Sequence, residues 1–104
     1  MITLKVSLEY GTFPVWMYDE SDWLIDNGLP DDLYQDKQLL DIFVKIQNDF
    51  ESIYVDNERE FYGKGFDTVE EEQAFRDLIK KAVKMLEERS EGKYKVVNAV
   101  KYYT

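Results

Sequence analysis

The sequence predicts an α+β fold: an antiparallel or mixed sheet of about three or four strands, built from an N-terminal hairpin plus a C-terminal strand, with two long helices packed on one face. Three observations carry this. Ile2, Leu4, Val6, Leu8 and Tyr10 alternate with Thr3, Lys5, Ser7 and Glu9, the period-2 pattern of a strand with one buried face. Two later segments carry apolar stripes at helical spacing. Tyr94, Val96, Val100 and Tyr102 restore strand-like spacing at the C-terminal end.

Each element follows from local chemistry. Gly11-Thr12 is a turn signal and Phe13 to Tyr18 is aromatic and β-branched, so Ile2–Tyr10 and this segment read as a hairpin. Pro14 cannot donate to a ladder and belongs at the start or edge of the second strand. Trp23-Leu24-Ile25 reads as a short third strand closed by a turn at Asp26-Asn27-Gly28. Val15 and Met17 share one face and Trp16 and Tyr18 the other, so one pair looks away from the core unless the strand is covered on both sides.

Leu29-Pro30-Asp31-Asp32 opens helical structure, because proline suits the first turn and acids there complement the helix dipole. From Lys37, residues Leu39, Phe43, Ile46, Phe50 and Ile53 step by 4, 3, 4 and 3 along one face, and Asp56-Asn57 is the expected end of that helix. Glu60 to Phe66, with Gly63 and Gly65, reads as an irregular crossing that can include a short strand. Thr68-Val69-Glu70-Glu71 matches the capping box and starts the second long helix. Phe75, Leu78, Ile79, Ala82, Val83 and Leu86 form its stripe, and Gly92 suits the position just past its end.

The chain has 104 residues, 44% of them hydrophobic and 15% aromatic, enough for a single domain spanning residues 1–104. Its net charge is −9, which disfavours direct binding of nucleic acid or an anionic membrane, since both repel it over a Debye length of ~8–10 Å. There is no Cys and no His, so disulfides, thiolate metal sites and the commonest general base are excluded. No signal-like N-terminal segment and no apolar run of ~18 residues appears, and the expected location is cytoplasmic.

Charge is distributed unevenly. Residues 1–79 hold 19 acids against 6 bases, a net of −13, and residues 80–104 hold 7 bases against 3 acids, a net of +4. From Val6 to Asp36 there are eight acids and no Lys or Arg, with Trp16 and Trp23 inside the stretch. One-sign surfaces steer cationic partners, and a tryptophan among carboxylates supplies contact area where charge supplies on-rate. Asp19, Glu20, Asp22 and Asp26 flank Trp23 most closely, and Asp31 and Asp32 complete the candidate partner-binding set. The bland alternative is a solvated acidic loop, its charge offset within the fold by the basic end. Trp23, set among Asp and Ser, is the expected exposed anchor.

Catalytic and metal signatures are weak. Asp22, Asp26, Asn27 and Gly28 do not fit the alternating calcium loop, and no Glu follows at the required offset. Gly63-Lys64-Gly65 lacks the spacing and the Lys-Ser/Thr of a phosphate loop and reads as a turn. A glycosidase-like carboxylate pair cannot be picked from 22 acids by spacing alone. No enzyme activity, metal or cofactor is expected. Tyr54, Tyr62, Tyr102 and Tyr103 sit near expected element ends and fit either a core or an interface.

The order Glu9-Tyr10-Gly11, Pro14-Val15-Trp16, Leu29-Pro30, Gly65-Phe66 and Phe75 resembles a group of short, acidic bacterial proteins that open on a Tyr-Gly-x-x-Pro-x-Trp hairpin. In composition the chain also resembles immunity proteins of bacterial polymorphic toxin systems, although it departs from the barstar pattern and no inhibitory residues carry over from there. The resemblance implies an immunity protein or antitoxin that occludes a basic protein such as a toxic nuclease. Two other classes fit the same composition: a phage-type nucleic-acid mimic that inhibits a host defence protein, and a housekeeping protein-interaction domain.

Overall fold

A computed structural model describes residues 1–56, 61–63 and 66–100, with the backbone alone for 54–56 and 61–63. Its main sheet has the order β3-β2-β1-β6, made of β1 (Ile2–Val6), β2 (Val15–Tyr18), β3 (Leu24–Asn27) and β6 (Tyr94–Asn98). β2 runs antiparallel to both β1 and β3, and β6 runs parallel to β1, so the sheet is mixed. A short helix α1 (Asp31–Tyr34) and two long ones, α2 (Lys37–Ser52) and α3 (Val69–Ser90), supply the helical layer. A second, two-stranded antiparallel sheet joins β4 (Tyr54–Asp56) to β5 (Phe61–Gly63).

The core is where the two periodicities meet. Leu4, Val6 and Val15 from the sheet are buried together with Leu39, Phe43, Ile46 and Phe50 from α2 and with Phe75, Ile79, Ala82, Val83 and Leu86 from α3. Met17 and Val96 pack against this cluster from the same side of the sheet. Trp16 and Tyr18 therefore point to the opposite face, where both are half-buried.

The helix ends obey their caps. Asp36 accepts a hydrogen bond from the Leu39 N–H at 3.1 Å and starts α2, which separates it from α1 and turns the expected single helical opening into two helices. Thr68 Oγ1 accepts from the Glu71 N–H at 3.1 Å and starts α3 at Val69. Gly92 follows Ser90 and Glu91 at φ +77°, the left-handed conformation a helix end requires.

Three boundaries correct the sequence reading. α2 stops at Ser52 instead of Asp56-Asn57: Ile53, Tyr54 and Val55 are β-branched or aromatic, and Tyr54–Asp56 is a strand. Ile53 is still buried, which is why the stripe ran on past the helix end. The first strand stops at Val6 instead of Tyr10, because the chain between Ser7 and Pro14 is held by other partners. Ser7 N–H donates to the Pro14 carbonyl, Thr12 N–H and Oγ1 donate to the Glu9 carbonyl, and Gly11 N–H (φ +78°) donates to the Glu51 carboxylate of α2 at 2.7 Å. Gln47 of α2 also donates to the Glu9 carbonyl at 3.0 Å and fixes this loop to the helix. The third strand runs to Asn27, so Asp26 and Asn27 belong to the ladder and not to a closing turn.

The expected short strand between Glu60 and Phe66 is β5. The Gly63-Lys64-Gly65 turn, Tyr102 and Tyr103 involve residues outside those described, and the final strand is seen from Tyr94 to Asn98.

Candidate functional site

The acidic stretch divides into two places. Asp19, Glu20, Asp22, Trp23 and Asp26 gather at the β2–β3 turn and along β3, one edge of the main sheet. Asp31 and Asp32 lie in the first turn of α1, and Asp32 is tied to β6 at the other edge. β3 and β6 are separated by three strand spacings, roughly 14 Å.

The β2–β3 turn is built by hydrogen bonds. Asp19 Oδ1 accepts from the N–H groups of Ser21 (2.8 Å) and Trp23 (3.0 Å). Asp19 N–H donates to the Trp23 carbonyl at 2.9 Å, and Asp22 N–H to the Asp19 carbonyl at 3.1 Å. Asp22 sits at φ +62°, a left-handed conformation that Asp adopts more readily than most residues. The consequence is a fixed platform on which Trp23 stands 73% exposed, beside Leu24 at 52% and Ile25 at 51%. Exposed large apolar side chains in a row mark an interaction surface more strongly than scattered ones.

The carboxylates differ in how free they are. Asp19 spends one oxygen on the turn, and Asp26 Oδ1 accepts from the Asn27 N–H at 2.8 Å. Glu20 pairs with the N-terminal ammonium at 2.7 Å; that hydrogen bond, then its charge, holds the Glu20 carboxyl below the ordinary glutamate value. Asp22 and Asp31 are exposed. Asp32 accepts from the Tyr94 hydroxyl at 2.6 Å and lies 3.5 Å from Lys93 Nζ. The Tyr94 bond lowers the Asp32 pKa, and the same bond, with some burial, pushes the Tyr94 hydroxyl up to about 12. Asp32 thus anchors α1 to β6.

Asn27 closes the edge from within. Its side-chain amide donates to the carbonyls of Phe13 (2.7 Å) and Val15 (3.0 Å) and accepts from the Phe13 N–H (2.9 Å), stitching β3 to Phe13 and to Val15 at the start of β2.

Sequence reasoning missed two parts of this surface. Leu24 and Ile25 read as strand residues, and only the sheet order, which leaves β3 with a neighbour on one side, accounts for the exposure of both. The sheet face away from the helices carries Thr3, Lys5, Trp16, Tyr18, Lys95 and Val97, with Lys5 Nζ 5.8 Å from the Tyr18 ring centre. A shallow recess of about 300 Å³ there is bounded by Thr3, Lys5, Tyr18, Lys95 and Val97 and by Asp22 from the turn. Pleat parity in β2 was the available signal; which face the helices covered was not.

Among the described residues no group of three acids could hold a metal ion, and no helix is long and apolar enough to cross a membrane. No protein-family model matches this sequence, and no curated protein matches it.

Proposed function

We propose that this chain is a non-enzymatic binding protein of the cytoplasm that occludes a basic protein, in the manner of an immunity protein or antitoxin acting on a cationic toxin such as a nuclease. The observation that carries the reading is Trp23, exposed among Asp19, Glu20, Asp22 and Asp26 on a turn held by four hydrogen bonds. A preformed turn reduces the ordering cost of binding, the indole supplies a central anchor, and the acids pair with Lys and Arg that otherwise contact phosphate. Close charge pairs across such interfaces couple by ~1.5–7 kcal/mol. A phosphate mimic would need its carboxylates turned outward in series. Here Asp19 and Asp26 hold backbone N–H groups, which favours an aromatic anchor with a charged rim.

The test neutralises charge while keeping geometry. Asp19→Asn, Glu20→Gln, Asp22→Asn and Asp26→Asn together retain an acceptor oxygen at each position, and Asn tolerates the conformation of Asp22. The fourfold variant is expected to fold as stably as the parent or slightly better, to capture less partner from lysate of the source cells, and to show a weaker salt dependence of capture. Trp23→Ala is expected to weaken capture and keep the salt dependence. Unchanged affinity and salt slope in the fourfold variant would reduce the turn to a solvated loop.

A further inference from the structure

We infer that the partner is engaged by strand addition at β3, through an extended basic segment in which apolar residues alternate with Lys or Arg. This rests on the basic-partner reading above and specifies how the partner is held. β3 ends the sheet order, and among the described residues no strand pairs with its outer side. An edge strand presents backbone donors and acceptors ready for another chain, and one that also exposes apolar side chains is a template that proteins ordinarily guard. Leu24 lies opposite Tyr18, and Ile25 is the extra residue of a β-bulge between the Met17–Asp26 and Tyr18–Leu24 pairs, so this edge exposes two adjacent apolar side chains.

The guard on this edge is acidic. Asp22 precedes the exposed triplet and Asp26 follows it, both exposed, and no Lys or Arg occurs between Val6 and Asp36. The Asp26 carboxylate holds the Asn27 N–H at 2.8 Å, a place that an incoming carbonyl can take while the carboxylate swings to a cation. Acids on an edge have two effects. Two copies meeting edge to edge set these carboxylates against each other, which disfavours self-pairing, and a basic strand meets complementary charge. The same residues therefore reject a second copy and select a cationic extended segment. Backbone pairing gives it affinity, and the alternation of its side chains gives register.

A labelled ten-residue peptide of alternating lysine and valine is the probe, titrated by fluorescence anisotropy and by amide chemical shifts of the full chain. Its control has the same sequence with alternate backbone nitrogens methylated, which keeps charge and side chains and removes the donors along one edge. The expected result is salt-sensitive binding, weakened at least ~10-fold by methylation, with amide exchange slowed at Leu24 to Asn27; one lost tenfold step corresponds to about 1.4 kcal/mol. Leu24→Thr with Ile25→Thr is expected to weaken binding while leaving the thermal transition in place. Equal binding of both peptides, or shifts confined to residues outside 19–27, would overturn strand addition. So would failure of both peptides to bind, or dimerisation of the unmodified chain through β3. If capture of the native partner stays sensitive to the fourfold neutral substitution while the peptides fail, only the mode of engagement falls; if that sensitivity is absent, the basic-partner reading falls with it.

Discussion

Asp22 and Asp32 belong to the same acidic stretch, yet one is exposed on a turn and the other is engaged by Tyr94 and Lys93. The second arrangement makes stability depend on pH at both ends. The Asp32 pKa is lowered from its ordinary value of 3.8, so its contribution is present above that value and is lost as pH falls through the lower folded pKa. The Tyr94 hydroxyl is raised from 10.0 to about 12, so its contribution is complete below pH 10 and is lost between about 10 and about 12. Tyr94→Phe is expected to flatten the alkaline loss relative to the parent and to reduce the acid loss, with Lys93 retaining part of the latter. Urea melts of both proteins at pH 3, 7 and 11 check this; parallel curves at every pH would mean the hydroxyl–carboxylate bond contributes nothing. In the core, Phe43 is fully buried and Phe75 nearly so. Phe43→Ala and Phe75→Ala are each expected to cost ~3–5 kcal/mol, and losses under ~1 kcal/mol would show that the stripes do not meet the sheet.

At the scale of elements, the ends carry as much information as the stripes. α3 starts where Thr68 accepts from Glu71 N–H and stops before Gly92 at φ +77°. Gly92→Ala forces a Cβ into the left-handed region and is expected to destabilise by about 1 kcal/mol, although open space surrounds the position. Thr68→Ala removes the cap acceptor and is expected to cost ~0.5–2 kcal/mol. Thermal melts resolve both, and a Gly92→Asn control should recover part of the first loss because Asn adopts this conformation more easily. The start of α2 at Asp36 was less legible, because Asp31, Asp32 and Asp36 all have the chemistry of a helix start. The Arg89 guanidinium 2.9 Å from Asp36 is a contact 53 positions away in sequence and left no local trace.

At the scale of the whole molecule, the sheet depends on a pairing between the two ends of the described chain. β6 lies parallel to β1 from Ile2–Tyr94 to Val6–Asn98, and Ala99 N–H extends the contact to the Val6 carbonyl at 2.8 Å. Truncation after Gly92 removes this partner and buried Val100. The truncated chain is expected to show no cooperative thermal transition in calorimetry, and a transition near that of the full chain would contradict the role given to β6.

The strands and helices were largely written in local periodicity: Leu4 and Val6 against Thr3 and Lys5, Phe43 and Ile46 along α2, Phe75 and Ile79 along α3. Each pattern states which side of an element seeks burial, and burial of those sides together leaves few arrangements. What remained illegible were facts about neighbours. Tyr10 continued the first strand's alternation, but Gln47 and Glu51 of α2 held the backbone around it, at Glu9 and Gly11, and ended the ladder at Val6. The eight acids announced one-sign charge, but only the packed chain decided that Asp32 binds Tyr94, that Asp19 builds a turn and that Asp22 stays exposed. Sequence alone determined the main strands and the two long helices, the apolar stripes of those helices and the sign of the surface, because those follow from the spacing and chemistry of residues close along the chain. The edge position of β3 and the exposure of Trp23, Leu24 and Ile25 beside their acids were decided by tertiary structure, because strand order is set by contacts between residues far apart in sequence.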